Sequence, residues 1–168
     1  MRYSLFSVLI LTAAQALICN FLHLSYYLTL SILPVVVLCL PTRHNTTFSI
    51  VTAFAIGFAV DFISEGVLGL NVFALVPVGL ARRKVCDLVF GEELVVRGED
   101  FSIKKNGIVK VGLAVAIVQA LFLILYIWAD GGQVRPFGHN FLRFAISLVA
   151  GLLVSAPIAN MLTGEDRS

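Results

Sequence analysis

Charged residues are scarce in this chain. Asp, Glu, Lys and Arg make up 13% of its 168 residues, about half of the ~25% usual in a soluble domain. Hydrophobic residues make up 59%. A soluble domain of this length could not hide so much apolar surface, whereas a lipid bilayer accepts it. The composition therefore excludes an ordinary soluble domain and predicts an integral membrane protein.

Several catalytic and metal-binding patterns are also missing. The three cysteines form no Cys-x-x-Cys pair, so they predict neither a metal site nor a disulfide framework. The chain has no His-Glu-x-x-His, no Gly-x-Ser-x-Gly and no acidic cluster suited to a metal and a lipid phosphate. Its three histidines fall in separate predicted loops. We therefore expect no enzyme, no cofactor, no metal and no nucleic-acid partner.

What the chain does have is six apolar segments. Residues 4–22 are read as a retained helix and not as a cleaved signal peptide, because no clear cleavage site follows them. The last two segments have the ~20 residues of a full span, and the middle three are shorter. The sequence predicts an all-α polytopic membrane protein, with residues 1–168 as a single six-helix transmembrane bundle. The predicted helices are 4–22, 26–40, 48–64, 67–81, 107–128 and 141–161, with a polar insert at 82–106.

The distribution of Lys and Arg predicts the orientation of this bundle. With the N-terminus in the cytoplasm, six spans leave two of the 12 basic residues, Arg135 and Arg143, on the far side. Basic residues favour the cytoplasmic face. The pattern predicts six spans with both termini and the 82–106 insert in the cytoplasm. An alternative merges 48–81 into one hairpin-like element, which gives five spans and an external C-terminus.

Two acids stand at the end of the third segment. Ala53, Gly57, Asp61 and Glu65 recur every four residues, so they share one face of a helix. Small residues on that face would let a neighbouring helix approach closely. Because acids at membrane depth are energetically expensive, Asp61 needs a role. Three remain open: a structural hydrogen bond to a neighbouring helix, a contact with a partner protein, or a proton or ligand site.

A short turn follows these acids. Gly66 and Gly69 bracket a very short connection, and glycine adopts backbone conformations that other residues resist. Asn71 suits hydrogen bonding near a helix start. The turn predicts either a tight helical hairpin or part of a partner contact.

The sixth segment carries a small-residue stripe: Ser147, Gly151, Ser155 and Ala159. Such a stripe suits close helix packing, inside the bundle or with a partner. Gln15 and Gln119 are single amides within apolar segments, and we expect each to hydrogen-bond to another helix.

The fourth segment stops on three adjacent cations, Arg82, Arg83 and Lys84. Cations at this position mark the cytoplasmic side of a span and suit anionic lipid head groups. An acidic cytosolic partner is the other possibility.

One extended motif runs from the third segment into the insert. It consists of Gly57-Phe58-x-x-Asp61-Phe62-x-Ser64, then Gly66 and Leu68-Gly69-Leu70-Asn71, then Arg82-Arg83, and in the insert Phe90-Gly91-Glu92-Glu93 and Arg97. With this motif the chain resembles the MreD rod shape-determining proteins of bacteria. The 82–106 insert is similar to that of Bacteroidota members, and Asn71 stands where many relatives have His.

The resemblance implies a non-enzymatic scaffold of the cell-elongation complex in the bacterial inner membrane. Its implied partners are an MreC-like protein, then RodA, penicillin-binding protein 2 and MreB, and its implied role is support of lateral peptidoglycan synthesis and rod shape. MreD bundles are similar to the S-components of energy-coupling-factor transporters. The alternative function is therefore a vitamin-binding transporter subunit, whose pocket Asp61, Glu65, Asn71 and His139 could line.

Overall fold

All regular elements that the structure describes are helices. A computed structural model of the chain describes residues 10–15, 29, 31–40, 45–63, 67–91, 107–130 and 136–163. We number the helices α1 (residues 10–15), α2 (Leu33–Leu38), α3 (Thr46–Ile63), α4 (Leu70–Phe90), α5 (Ile108–Ala129) and α6 (Phe137–Thr163).

Three of the described helices are long and apolar enough to cross a membrane. They are Thr46–Ile63, Ile108–Ala129 and the Phe137–Ala159 part of α6. Large apolar side chains on α3, α5 and α6 are exposed on the outside of the bundle, among them Phe62, Leu113 and Leu153. Such an exterior suits a hydrocarbon solvent. The fold is therefore all-helical and compatible with a membrane protein.

Helix α4 is longer than the sequence predicts. The predicted helix ends at residue 81, where the basic cluster begins, but α4 continues through all three cations to Phe90. Arg and Lys are good helix formers, so charge alone does not end a helix. The helix ends instead at Gly91, whose φ of 87° favours glycine at this position. The predicted insert of 82–106 is corrected accordingly, and its residues 92–106 lie outside the described part.

The second predicted helix, 26–40, is also corrected. Within its described residues the helix covers only Leu33–Leu38, and Thr29, Ser31 and Ile32 are not helical. Pro34 lies in the first turn, where its missing N–H group is tolerated. Further inside a helix it would leave a carbonyl without its donor. Six helical residues extend only about 9 Å. Each of them is buried, so α2 is an interior segment.

The other boundaries differ less. Helices α3 and α5 lie within two residues of their predicted limits at both ends. Helix α4 starts at Leu70, three residues late, and α6 starts at Phe137, four residues early. Pro136 directly precedes α6, and its carbonyl accepts hydrogen bonds from the N–H groups of His139 and Asn140. The fixed φ of proline suits a helix start.

The four long helices alternate in direction. The end of α3 contacts the start of α4 through Asp61. Phe73, early in α4, stacks on Trp128, late in α5. We call this side of the bundle the Asp61 end, and the opposite side, where the start of α3 meets Arg82, the Arg82 end. Helix α2 lies inside and contacts α3, α4, α5 and α6.

Candidate functional site

The Asp61 carboxylate binds the first turn of α4. Its Oδ1 atom accepts hydrogen bonds from the backbone N–H of Asn71, at 3.1 Å, and from the Asn71 side-chain amide, at 2.8 Å. Its Oδ2 atom accepts from the N–H groups of Gly69, at 3.1 Å, and Val72, at 3.2 Å. Asp61 is 3% exposed. Both carboxylate oxygens therefore act as double acceptors in a buried contact between two helices.

This contact provides hydrogen-bond acceptors for the N–H groups at the start of α4. The first N–H groups of a helix have no partner within the helix, and its N-terminus carries a partial positive charge. The N-cap of α4 is Gly69, which has no side chain to accept them and whose φ is 93°. Asp61 supplies the missing acceptor from the neighbouring helix. It therefore performs, across eight to eleven residues, the role that a capping Ser or Asp usually performs locally.

Glycines bring α3 and α4 close together along their length. A Cβ atom on Gly57 would lie 3.0 Å from the backbone Cα and N of Val72. A Cβ atom on Gly79 would lie 3.0 Å from the carbonyl oxygen of Ser49 and 3.1 Å from the Ala53 Cβ. Because these neighbours are mostly backbone atoms, they cannot rotate away. The hairpin thus depends on small residues at both levels.

Replacing Gly57 by Ala tests this close approach. We expect a loss of about 1–3 kcal/mol in the free energy of unfolding, since the new methyl group forces the α3 and α4 backbones apart. The matched control is Gly112→Ala in α5, where nothing lies within 4 Å of the added Cβ. That change should stabilise by up to ~1 kcal/mol through helix propensity. SDS titration followed by Trp128 fluorescence measures both, and equal effects would contradict the close approach.

Arg82 forms buried hydrogen bonds at the opposite end of the bundle from Asp61. Its Nε donates to the Leu38 carbonyl at 3.0 Å, and one of its terminal nitrogens donates to the Leu40 carbonyl. Its other terminal nitrogen donates to the Ser49 hydroxyl at 3.1 Å. Arg82 is 5% exposed. The guanidinium fork therefore satisfies carbonyls at the C-terminal end of α2, where a cation is also favoured by the helix dipole.

The basic cluster is consequently divided. Arg83 and Lys84 are exposed, as head-group or topology residues would be, but Arg82 is buried among backbone carbonyls. The interpretation of Arg82 as a lipid-facing cation is corrected. The sequence carries no local signal of this burial, because the Leu38 and Leu40 carbonyls lie more than 40 positions before Arg82.

A second polar group of residues lies near the non-helical stretch before α2. The Gln15 Oε1 accepts the Ile32 N–H at 2.8 Å, and the Gln119 Nε2 donates to the Ser31 carbonyl at 3.1 Å. The Ser147 hydroxyl accepts the Thr29 N–H at 2.8 Å. Both glutamines were predicted to bond to another helix; each does bond outside its own helix, but its partner is this non-helical stretch. Side chains from three helices thus replace the hydrogen bonds that this stretch would make in a helix.

The small-residue stripe of α6 borders this group. Gly151 faces Gln119 so closely that a Cβ would lie 2.5 Å from its Nε2. One turn further along, Ser155 is fully buried. One turn before Ser147, Arg143 donates to the Thr29 hydroxyl at 2.9 Å and forms an ion pair with Asp130 at 2.5 Å. The stripe packs inside the bundle. The Arg143 pair was not predicted, since it joins α6 to the end of α5.

The predicted site residues therefore form two groups and not one. Gly57, Asp61, Gly69 and Asn71 come together in the α3–α4 hairpin. In the second group Gly151 lies against Gln119, and Ser147 and Ser155 are one turn before and one turn after Gly151 on α6. Glu65 and Gly66 are outside the described residues.

Of the four residues proposed to line a vitamin pocket, Asp61, Asn71 and His139 lie in the described part of the chain. Asp61 and Asn71 bond to each other and to the α4 backbone. His139 is half-buried at the start of α6, where the Pro136 carbonyl accepts its backbone N–H. Among the described residues no three His, Cys, Asp or Glu side chains are placed to hold a metal ion together.

Comparison of the chain with protein-family models, with curated proteins and with solved structures finds no match.

Proposed function

We propose that this chain is a non-enzymatic scaffold subunit of a bacterial cell-elongation complex, similar to MreD. It would support lateral peptidoglycan synthesis and rod shape from the inner membrane. The proposal includes six spans, both termini in the cytoplasm and a bundle similar to the S-components of energy-coupling-factor transporters. Its partners would be an MreC-like protein and, through the complex, RodA, penicillin-binding protein 2 and MreB.

The observation that carries the proposal is the hairpin contact around Asp61. The residues on which the MreD resemblance rests, Gly57, Asp61, Gly69 and Asn71, are separated by up to 14 positions in the chain, yet they form one contact. Their hydrogen-bonding atoms serve the helix start of α4. A motif used to fix one helix against another is what a scaffold requires, since its task is to hold a defined shape.

The buried position of Asp61 also changes how it would affect a partner. A side chain that is 3% exposed has little surface to offer to a second protein. We therefore assign it an indirect role: it holds α3 and α4 together, and their outer faces are what a partner could contact. The outer face of α3 carries three stacked aromatic rings, Phe54, Phe58 and Phe62, each at least half exposed.

A pulldown from native membranes tests the proposal. The tagged chain is expected to co-purify an MreC-like protein. Asp61→Asn keeps one acceptor oxygen and the side-chain shape, so it should retain most of the complex, whereas Asp61→Leu should lose it together with the hairpin. Recovery of a transporter energising module in place of elongation proteins would contradict the proposal, as would tight one-to-one binding of a vitamin by the purified chain.

A further inference from the structure

Three buried polar atoms, one each from the stretch before α2, from α5 and from α6, have no hydrogen-bond partner among the described residues. They are the Ser31 hydroxyl, the Gln119 side-chain carbonyl Oε1 and the Ser155 hydroxyl. The exposed fractions of these residues are 3%, 0% and 0%. Buried polar groups in folded proteins are nearly always paired, and an unpaired one is costly. Three such atoms in the interior therefore need an explanation beyond ordinary packing.

Two of these atoms belong to residues in direct contact, and the third lies one helical turn beyond a residue that contacts one of the two. The Gln119 amide contacts Ser31 directly, because its Nε2 donates to the Ser31 carbonyl. The same amide lies against Gly151, and Ser155 is one turn further along the same face of α6. The three atoms are thus contributed by the non-helical stretch, by α5 and by α6. Gln119 is near the middle of α5, so the group lies deep between the two ends of the bundle.

The hydrogen-bonding capacity of Ser31, Gln119 and Ser155 indicates which kind of ligand they could bind. Gln119 Oε1 only accepts hydrogen bonds, whereas each serine hydroxyl both donates and accepts. Within the described part of the chain, no charged side chain hydrogen-bonds to Ser31 or Gln119. An ion would lack a counter-charge, but a neutral molecule with two donors and two acceptors could satisfy all three atoms. Water meets this description and needs two to four polar partners to be held in an interior.

We propose that Ser31, Gln119 and Ser155 form a binding site for at least one ordered water molecule inside the bundle. The water donates to Gln119 Oε1 and exchanges hydrogen bonds with the two hydroxyls. It completes the hydrogen bonding of the stretch whose backbone is already served by Gln15, Gln119 and Ser147. This site is separate from the Asp61 contact, and its presence does not depend on the proposed scaffold function.

The sign of a stability change tests the site. Ser155→Ala removes a hydroxyl that holds the water, so the midpoint of SDS unfolding should fall. In a dry interior the same change removes only an unpaired hydroxyl, and the midpoint should stay or rise. Ser147→Ala is the matched reference on the same face of α6. Its hydroxyl has a partner in the Thr29 N–H, so its loss should lower the midpoint in either case.

A direct observation completes the test. Diffraction from the protein crystallised in a lipid mesophase should show density for a water at about 2.7–3.2 Å from at least two of the three atoms. Well-resolved density that places no water there overturns the proposal, and so does a midpoint for Ser155→Ala that stays or rises. If that variant does not fold, the structure of the unaltered protein alone decides the matter.

Discussion

Replacing Arg82 by Leu is expected to lower the free energy of unfolding by about 3–4 kcal/mol. The change keeps an apolar side chain of moderate size, but it removes the Arg82 donors to the Leu38 and Leu40 carbonyls and to the Ser49 hydroxyl. Each buried polar group left without a partner costs about 1–3 kcal/mol. The last carbonyl of α2, the Leu40 carbonyl just after it and one hydroxyl of α3 would be affected together. Unfolding in SDS, followed by the fluorescence of the single tryptophan, Trp128, measures the loss.

Arg83→Leu is the matched control for this change. It removes the same charge from the same helix one residue later, but Arg83 is exposed. Its effect on the unfolding free energy should stay within ~0.5 kcal/mol. Arg82→Lys should recover only part of the stability, because an ammonium group cannot reproduce the planar fork. Equal losses for Arg82→Leu and Arg83→Leu would show that net charge, and not the buried hydrogen bonds, determines the result.

Replacing Asp61 by Leu is expected to cost roughly 2–3 kcal/mol of unfolding free energy. Three backbone N–H groups at the start of α4 and the Asn71 amide lose their acceptor. Loss of an N-cap alone costs up to ~2 kcal/mol, and hydrogen bonds to a charged group are stronger than neutral ones. The start of α4 should also exchange its amide hydrogens faster, with Asn71 and Val72 affected most. Hydrogen exchange monitored by mass spectrometry detects this local change.

Two further variants define what Asp61 contributes. Asp61→Asn should cost less than Asp61→Leu, since its carbonyl oxygen still accepts while its amide faces two N–H donors. Asp87→Asn removes an acid from the C-terminal part of α4, away from the hairpin contact, and should leave exchange at Asn71 and Val72 unchanged. Unchanged exchange at these positions in Asp61→Leu would refute the capping role.

The α3–α4 hairpin could be predicted because the residues that form it lie close together in the sequence. Helical periodicity places Gly57 and Asp61 on one face, and the short turn returns the chain at once. Their shared contact with α4 then follows from the small distance along the sequence. The two mid-helix glutamines were also predictable in kind, because an amide in an apolar helix needs a partner. Which group each glutamine bonds to could not be read from the sequence.

Two other features could not be predicted, for a physical reason. Hydropathy does not separate an apolar helix from an apolar stretch whose backbone is served by other side chains, so the late start of α2 was missed. Arg82 was read as a surface cation because adjacent basic residues usually are. Its burial depends on carbonyls more than 40 positions earlier in the chain, and no local pattern contains them.

The order in which the chain is synthesised gives the Arg82 contact a further consequence. All three of its partners, Leu38, Leu40 and Ser49, precede it and have left the ribosome before it emerges. The stretch before α2 is in the opposite position: its bonds to Gln119 and Ser147 span 88 and 118 residues. During biogenesis the α3–α4 hairpin can therefore close early around Arg82. The bonds of Ser31 and Thr29 to Gln119 and Ser147 can form only after α5 and α6 have been synthesised.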